Sequence, residues 1–509
     1  MCAQNLEVIR SKKGKQSYLS VPLRNLIFKG GSKREYGGIQ PCIRLGIFRI
    51  RIPFIHFNIS GPEIITGLMN ACTSYGALAV LISTLGLDPN TAYALVIFET
   101  ACYTLSWFLG EPAVCGWITA AMAVIVLYLE TLPEGVIRFQ ALTVIQLELG
   151  ILFIVLGATG LSKKLNMILP PALKGGIVLG AGINSVVARM SEGGALDTAT
   201  IACLGGLVVV CLFMFSQRIR EKMSEHKILA LLGNYSFLWG VLFLFIVGGI
   251  SGDFQYEFSG QFIVMPDFGA LFAAVSPFCI GFCADPTIWI AGIPYALTAW
   301  IIAYGDFITV QQLCINSARD DEYIEFNVNR TNIVCGIRNV VLSLFAPYPA
   351  LAGPFSPPYA IATFARYKES GREGMNSIYD GTGTNLIFTV VGLFFYPLYE
   401  VSLAASGALL VVIMVVQGFV CAQIAINLLR DDMDRGIAGM SAGFIVARGA
   451  SIGLPASIIL YLLLCNNKKI RIDYATSKEE LRLEEEETAK QLKALEERMA
   501  KAKAEHDAQ

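Results

Sequence analysis

Charge is scarce in this chain. Only 16% of its 509 residues are Asp, Glu, Lys or Arg, where soluble globular proteins carry roughly 25%. Histidine occurs at positions 56, 226 and 506 alone. There is no Gly-rich phosphate loop, no nucleophile elbow and no Cys/His group at zinc-ligand spacing. These absences speak against an enzyme, against a bound metal or other cofactor, and against a pump driven by its own nucleotide site. A net charge of −1 supplies no field to gather nucleic acid. Residues 1–60 are polar and basic and contain no short apolar core with a cleavage site, so no signal peptide is expected.

What fills the chain is apolar: 54% hydrophobic residues and a mean hydropathy of +0.57. Such a composition belongs to a protein lying mostly in lipid. Apolar segments separated by short polar joints fall near 62–84, 92–109, 112–130, 140–160, 170–189, 199–217, 235–250, 287–309, 331–347, 350–367, 384–398, 404–428, 436–450 and 451–465. Each approaches the ~20 residues a helix needs to cross the hydrocarbon core, or is shorter. We therefore read an all-α integral membrane protein of about fourteen segments, the last two so close that they form a re-entrant or tilted hairpin. Most cysteines, such as Cys72, Cys102, Cys203 and Cys421, sit in or beside these segments as small apolar filler. Cys279 and Cys283 are near neighbours without the further Cys or His that a metal site needs.

The basic residues are distributed unequally. With a cytosolic N-terminus, the cytosolic joints receive Lys163, Lys164, Lys174, Arg218, Arg220, Lys222, Lys227, Arg319, Arg330, Arg366, Lys368, Arg372, Arg430 and Arg435, and the outer joints only Arg138, Arg189 and Arg448. That asymmetry is the positive-inside pattern, and an even number of spans returns the C-terminus to the cytosol.

Two octapeptides interrupt the apolar runs, PAVCGWIT at 112–119 and PALAGPFS at 349–356. They are separated by close to half the chain, and each falls in the third span of a seven-span half. Seven is odd, so the second half inserts inverted relative to the first, the plan of many secondary transporters. Pro112 and Gly116 leave residues 117–130 for helix, about 21 Å; Pro349 to Pro354 leave about Ser356 to Tyr367, roughly 18 Å. Both fall short of the ~30 Å core. Two half-helices are thus expected to start near the midplane with their N-termini facing each other. Unpaired N–H groups and positive dipole ends there favour an anion or another electron-rich group. Pro112, Gly116, Trp117, Thr119, Gly353, Phe355 and Ser356 are the candidate substrate-binding residues. The competing explanation is a pair of proline kinks packed against neighbours with no ligand.

Ionisable residues inside apolar runs are costly and draw a functional reading. Asp306 follows Gly305 near the end of the eighth span, as a substrate or coupling residue or as a helix-end charge. Glu99 lies mid-span in ALVIFETACY, as a proton site or an internal hydrogen-bond acceptor. Arg338 would neutralise such an acid or bind an anion. Ser60 and Glu63 read as a capping box opening the first span. The charged stretch 477–507, with Leu481, Leu492, Leu495 and Met499 in partial heptad register, is expected to be a helix, either solvated or docked on a partner.

Together, PAVCGWIT, PALAGPFS, AWIIAYGDFITVQQL at 299–313 and LPPALKGGIVLGAGI at 169–183 resemble the transporter superfamily of nucleobase–ascorbate permeases, sulfate permeases and bicarbonate/anion exchangers. The resemblance covers about residues 60–465. It implies seven plus seven inverted spans, a core domain (spans one to four and eight to eleven), a gate domain (the others), and a substrate between the half-helices of spans three and ten. The chain departs from the nucleobase permeases near Ile302, where no acid stands, and after the tenth-span break, where Ser356 and Pro357 stand.

The expected organisation is a basic cytosolic segment at 1–60, a first repeat at 61–250, a second at 251–466 and a charged cytosolic helix at 467–509. The expected function is secondary transport of a small anion or weak acid by an elevator-type motion. A proton-coupled nucleobase permease is the alternative, and a non-transporting membrane scaffold or voltage-responsive protein the rival from another class. The expected partners are the small-molecule or ion substrate, the bilayer and a second copy in a homodimer, with the C-terminal helix as an aid to pairing.

Overall fold

Proline and short polar side chains set where the helices begin. The computed structural model describes residues 34–508 apart from 191–193, 224–232 and 234–235. Most of the basic N-terminal segment, and the joint carrying Lys227, lie outside the described residues. Among the described residues, fourteen helices of twelve residues or more carry the architecture: α1 Gly61–Ser74, α2 Pro89–Ala101, α3 Thr119–Glu130, α4 Val136–Thr159, α5 Pro171–Met190, α6 Thr200–Phe215, α7 Ser236–Ser251, α8 Pro286–Ser317, α9 Val328–Phe345, α10 Pro357–Gly374, α11 Ile378–Leu393, α12 Ser406–Leu428, α13 Asp432–Leu464 and α14 Asn467–Asp507. Asp88, Asp285, Asn327, Ser377, Asp431 and Asn466 each accept a backbone N–H in the first turn of the helix that follows, satisfying donors that lack an intrahelical partner.

Among the described residues, six helical stretches are long and apolar enough to cross a membrane: Gly61–Ser83, α4, α5, α8, α12 and α13. Shorter apolar helices lie at Thr119–Glu130, Thr200–Phe215 and Trp239–Ser251. This is an integral membrane protein. Most helices coincide with the expected apolar segments to within a few residues. The short helices Phe268–Val275 and Pro277–Ile280 were not expected. The stretch Asp432–Leu464 is not one rod. Gly449 has φ 70° and ψ 177°, and a Cβ on Gly453 would lie 2.8 Å from the Cα of Ile445. In a continuous helix those positions are about 12 Å apart, so the chain folds back at Gly449 into the hairpin expected for the last two segments.

The helices pack in two groups. In one, α4 lies along α9 and α8, and α1 along α11; in the other, α5 lies between α12 and α13, and α6 along α7 and α12. Small residues permit the close approach usual between helices in lipid. A Cβ on Gly150 of α4 would meet the Gly336 carbonyl of α9 at 3.1 Å. The groups meet where α3 touches α5 and α8 touches α13.

Among the described residues, three two-stranded ladders accompany the helices. β1 (Gly38–Ile39) runs parallel to β5 (Glu322–Tyr323), and β2 (Ile43–Leu45) is antiparallel to β3 (Phe48–Ile50). β4 (Gly116–Trp117) is antiparallel to β6 (Ala352–Gly353), pairing Gly116 with Gly353 and Trp117 with Ala352.

Candidate functional site

The two octapeptides meet. β4 leads directly into α3 and β6 into α10, so the antiparallel ladder joins the starts of two short helices from opposite halves of the chain. The crossing is tight because it is built from glycine. A Cβ on Gly353 would stand 2.8 Å from the Trp117 carbonyl carbon and oxygen, and one on Gly116 would stand 2.8 Å from the Cβ of Ser356. Backbone bonds reinforce it: the Ile118 N–H donates to Ala350 O at 3.1 Å, and the Ser356 N–H to Val114 O at 2.8 Å.

Helix α9 pins the crossing from one side. Asn339 Nδ2 donates to Ala352 O at 2.8 Å, and the Ala352 N–H returns a bond to Asn339 Oδ1 at 3.0 Å. Arg338 Nη1 donates to Gly353 O at 2.7 Å and Nη2 to Gly116 O at 3.5 Å, so one guanidinium grips both strands. It also lies over the Tyr103 ring, 5.0 Å from the centroid. From α4, Gln146 accepts the Tyr348 N–H at 2.9 Å.

Around this clamp Pro112, Gly116, Gly353 and Phe355 are buried, whereas Trp117, Thr119, Ser356 and Tyr359 are half-buried. The least buried side chains of the crossing thus lie where the two helices start. Neither α3 nor α10 has a side-chain cap at its N-terminus, unlike the capped helices above. Among the described residues, the Thr119, Ala120 and Tyr359 N–H groups have no backbone acceptor. Pro357 and Pro358 carry no N–H, so α10 offers fewer donors than α3.

Glu99 is fully buried beside the crossing. Its Oε2 accepts from Trp117 Nε1 at 3.2 Å and from the Thr100 hydroxyl at 3.4 Å. Its Oε1 has no hydrogen-bond partner among the described residues, and the same holds for the buried Arg338 Nε and Tyr348 Oη. Arg338 is within electrostatic reach of Glu99, but its hydrogen bonds go to backbone carbonyls. Asp306, on α8, is half-buried, beside Gly305, which faces open space, and lies within electrostatic reach of Cys335 and Cys421. The structure thus gathers Pro112, Gly116, Trp117, Thr119, Gly353, Phe355, Ser356, Glu99 and Arg338 at the crossing. Among the described residues, Asp306 makes no hydrogen bond to any of them.

Other charged residues have partners that the sequence did not show. Ser60 and Glu63 do not form a capping box. The Ser60 hydroxyl donates to Glu63 Oε2 at 2.5 Å, and Arg366 from α10 pairs with the same carboxylate. Arg330, counted among the joint charges, is fully buried and pairs with Glu111 at 3.1 Å. Asn339, Gln146 and Glu111 were missed. Only Glu111 carried a signal in the sequence, as an acid directly before Pro112 in an apolar run.

No protein-family profile and no curated protein matches the sequence. Solved structures do. The transmembrane domain of a cyanobacterium bicarbonate transporter, BicA, is 14% identical, with 82% of this chain and 96% of that chain covered and a TM-score of 0.43. The murine Slc26a9 anion transporter in its inward-facing state is 13% identical over 79% of this chain and 68% of that chain, at a TM-score of 0.45. A second SLC26A9 structure is 14% identical over 79% and 65%, at 0.46. The low identities and scores of these neighbours leave any functional reading to rest on the site itself.

Proposed function

We propose that this protein is a secondary transporter for a small anion or weak acid. The observation that carries the proposal is the glycine-built crossing of β4 and β6, from which two uncapped helices depart, α3 of 12 residues and α10 of 18 residues with a break at Gly371. Irregular backbone inside a membrane protein persists only where protein buries it or where it lines a wet cavity. Here the crossing is buried by protein, while Trp117, Thr119, Ser356 and Tyr359 beside it are half-buried; in this proposal they line the wet cavity. Two positive helix ends and the free N–H groups of Thr119, Ala120 and Tyr359 favour negative charge.

In this proposal α3 and α10 are the half-helices of two inverted seven-span repeats, at 61–250 and 251–466, giving fourteen spans with both termini in the cytosol. Spans one to four and eight to eleven move as a core against the remaining gate spans, and the core carries the site. Glu99 and Asp306 are the coupling candidates. Arg338 holds the site together and contributes positive potential behind it. Two protomers form a homodimer.

Purified protein in sealed vesicles, offered labelled sulfate, bicarbonate, a dicarboxylate and uracil in turn, tests the proposal. Saturable uptake of one of the anions supports it. Uptake of uracil alone would turn the assignment to a nucleobase permease, and no uptake of any compound would favour a scaffold.

A further inference from the structure

Helix α14 is not a free tail. It is 41 residues long and fastened at both ends to the same molecule. Its first turns are anchored beside the base of the α13 hairpin. Lys469 Nζ lies 2.8 Å from Asp431, 2.9 Å from the buried Asp434 and 2.7 Å from Asp473. Tyr461 donates to Asp473 at 2.8 Å, and Arg430 donates to Ser477 at 3.1 Å. Ile470 packs on a cluster formed by Ala172, Leu173, Ile437, Tyr461 and Cys465.

The far end rests on different elements. Leu495 and Met499 are buried against Ala318, with Tyr323 beside them. Arg498 donates to Ala318 O at 2.8 Å and pairs with Asp320 at 2.5 Å. Lys503 lies 3.7 Å from Glu35, and the His506 and Tyr36 rings stack with centroids 4.5 Å apart. Residues 318–323 join α8 to α9, in the helix group that holds the crossing. Asp431, Asp434 and Tyr461 belong to the other group. Lys469 and Arg498 are 29 residues apart, about 44 Å along a helix.

From this geometry we infer that α14 is a strap joining the two helix groups on one face of the protein, and that it restrains the displacement of one against the other. The inference rests on the core-and-gate reading above. A straight helix cannot lengthen, so a core sliding past the gate must release one end. The near end buries carboxylates around Lys469, and breaking it would leave charge without a partner. The far end depends on two apolar side chains, on the Arg498 bonds to Ala318 and Asp320, and on the Lys503–Glu35 and His506–Tyr36 contacts; the side chains of its two ion pairs are 45% to 87% exposed and so open to screening by salt. The far end is therefore the releasable one.

The test uses the full chain in lipid nanodiscs, with spin labels on genetically encoded residues at positions 373 and 435. These are exposed sites, one on each helix group. The intact chain should give one narrow distance. The double variant Leu495→Asp with Met499→Asp should broaden it or add a second distance, and Leu495→Met should keep the narrow one. The inference is overturned if the released variant keeps the single distance of the intact chain, or if the intact chain is already broad. A charge reversal supplies a second variant: Arg498→Asp should broaden the distance and Asp320→Arg in the same chain should narrow it again. Vesicle uptake is read separately. A changed distance with no uptake of any anion leaves the strap standing and removes the transport assignment. Uptake with an unchanged distance does the reverse.

Discussion

Arg338 donates to the carbonyl oxygen of Gly353 at 2.7 Å, tying α9 to the strand that leads into α10. The same guanidinium reaches Gly116 O at 3.5 Å, so a single side chain holds strands from both halves of the sequence. Lysine has one charged nitrogen and no planar fork. Arg338→Lys should therefore restore only part of what Arg338→Met loses. Losing the partner of a buried carbonyl costs about 1–3 kcal/mol. The apparent melting temperature of the purified protein should fall in the order wild type, Arg338→Lys, Arg338→Met. Equal melting of all three would mean that the clamp contributes nothing.

Gly353→Ala should be poorly tolerated. The added Cβ meets the Trp117 backbone at 2.8 Å, and a backbone atom cannot swing aside as a flexible side chain does. Overpacking of this kind costs about 1–3 kcal/mol. Gly436→Ala is the control, because nothing lies within 4 Å of the new methyl group. The yield of folded, monodisperse protein should fall for the first variant and hold for the second.

At the opening, Thr119→Ala and Ser356→Ala should each weaken anion binding by about 1 kcal/mol, the net value of one hydrogen bond. Calorimetric titration with the anion found by uptake measures this. Ser356→Phe should block transport while the protein remains folded. Full transport by that variant would place the substrate elsewhere.

Coupling to protons would require a titrating group near the site. Glu99→Gln keeps an oxygen for the Trp117 indole and removes the charge; Asp306→Asn does the same on α8. One or both variants should flatten the pH dependence of uptake. If wild-type transport is indifferent to pH and neither variant alters it, neither residue couples protons.

The near anchor of α14 should fail in acid. The hydrogen bond from Lys469 holds the Asp431 carboxyl below its ordinary 3.8. Partial burial pulls Lys469 down, but its hydrogen bonds to Asp431, Asp473 and Asp434 outweigh this and hold it above its ordinary 10.5. Asp431 therefore contributes stability fully above pH 3.8 and loses it as pH falls through the lowered value. Lys469 contributes fully below pH 10.5 and loses its part as pH rises through the raised value. Asp434, Asp473 and Arg430 face the same cluster. Amide exchange over residues 467–480 should accelerate below pH 3.8, after correction for intrinsic rates. Lys469→Met should accelerate it already at neutral pH.

The helical segments and the two octapeptides were legible because hydrophobic runs, prolines and glycines act locally. PAVCGWIT and PALAGPFS mark their own breaks, and their spacing suggested that they meet. The partners holding them were not legible. Asn339 and Gln146 are single polar residues in apolar helices, and nothing in their neighbourhood says which backbone group they will reach 13 or 202 positions away. The partners of charged residues were hidden for a related reason. Arg330 and Arg366 were read by a pattern that counts residues by side and ignores burial, and such a pattern does not show that they pair with Glu111 and Glu63 from distant segments. The tail showed its apolar register in Leu495 and Met499, but the surface that covers them lies in the loop at 318–323.

The turn at Gly449 settles a question of parity. Its two arms leave from and return to one level, since Lys469 beyond the second arm touches Asp431 before the first. Whatever number of times the preceding chain crosses the bilayer, this excursion adds nothing to the odd-or-even count. Epitopes placed at residue 431 and at residue 469 are therefore expected to report the same compartment, and either can stand in for the other when the orientation of the chain is mapped.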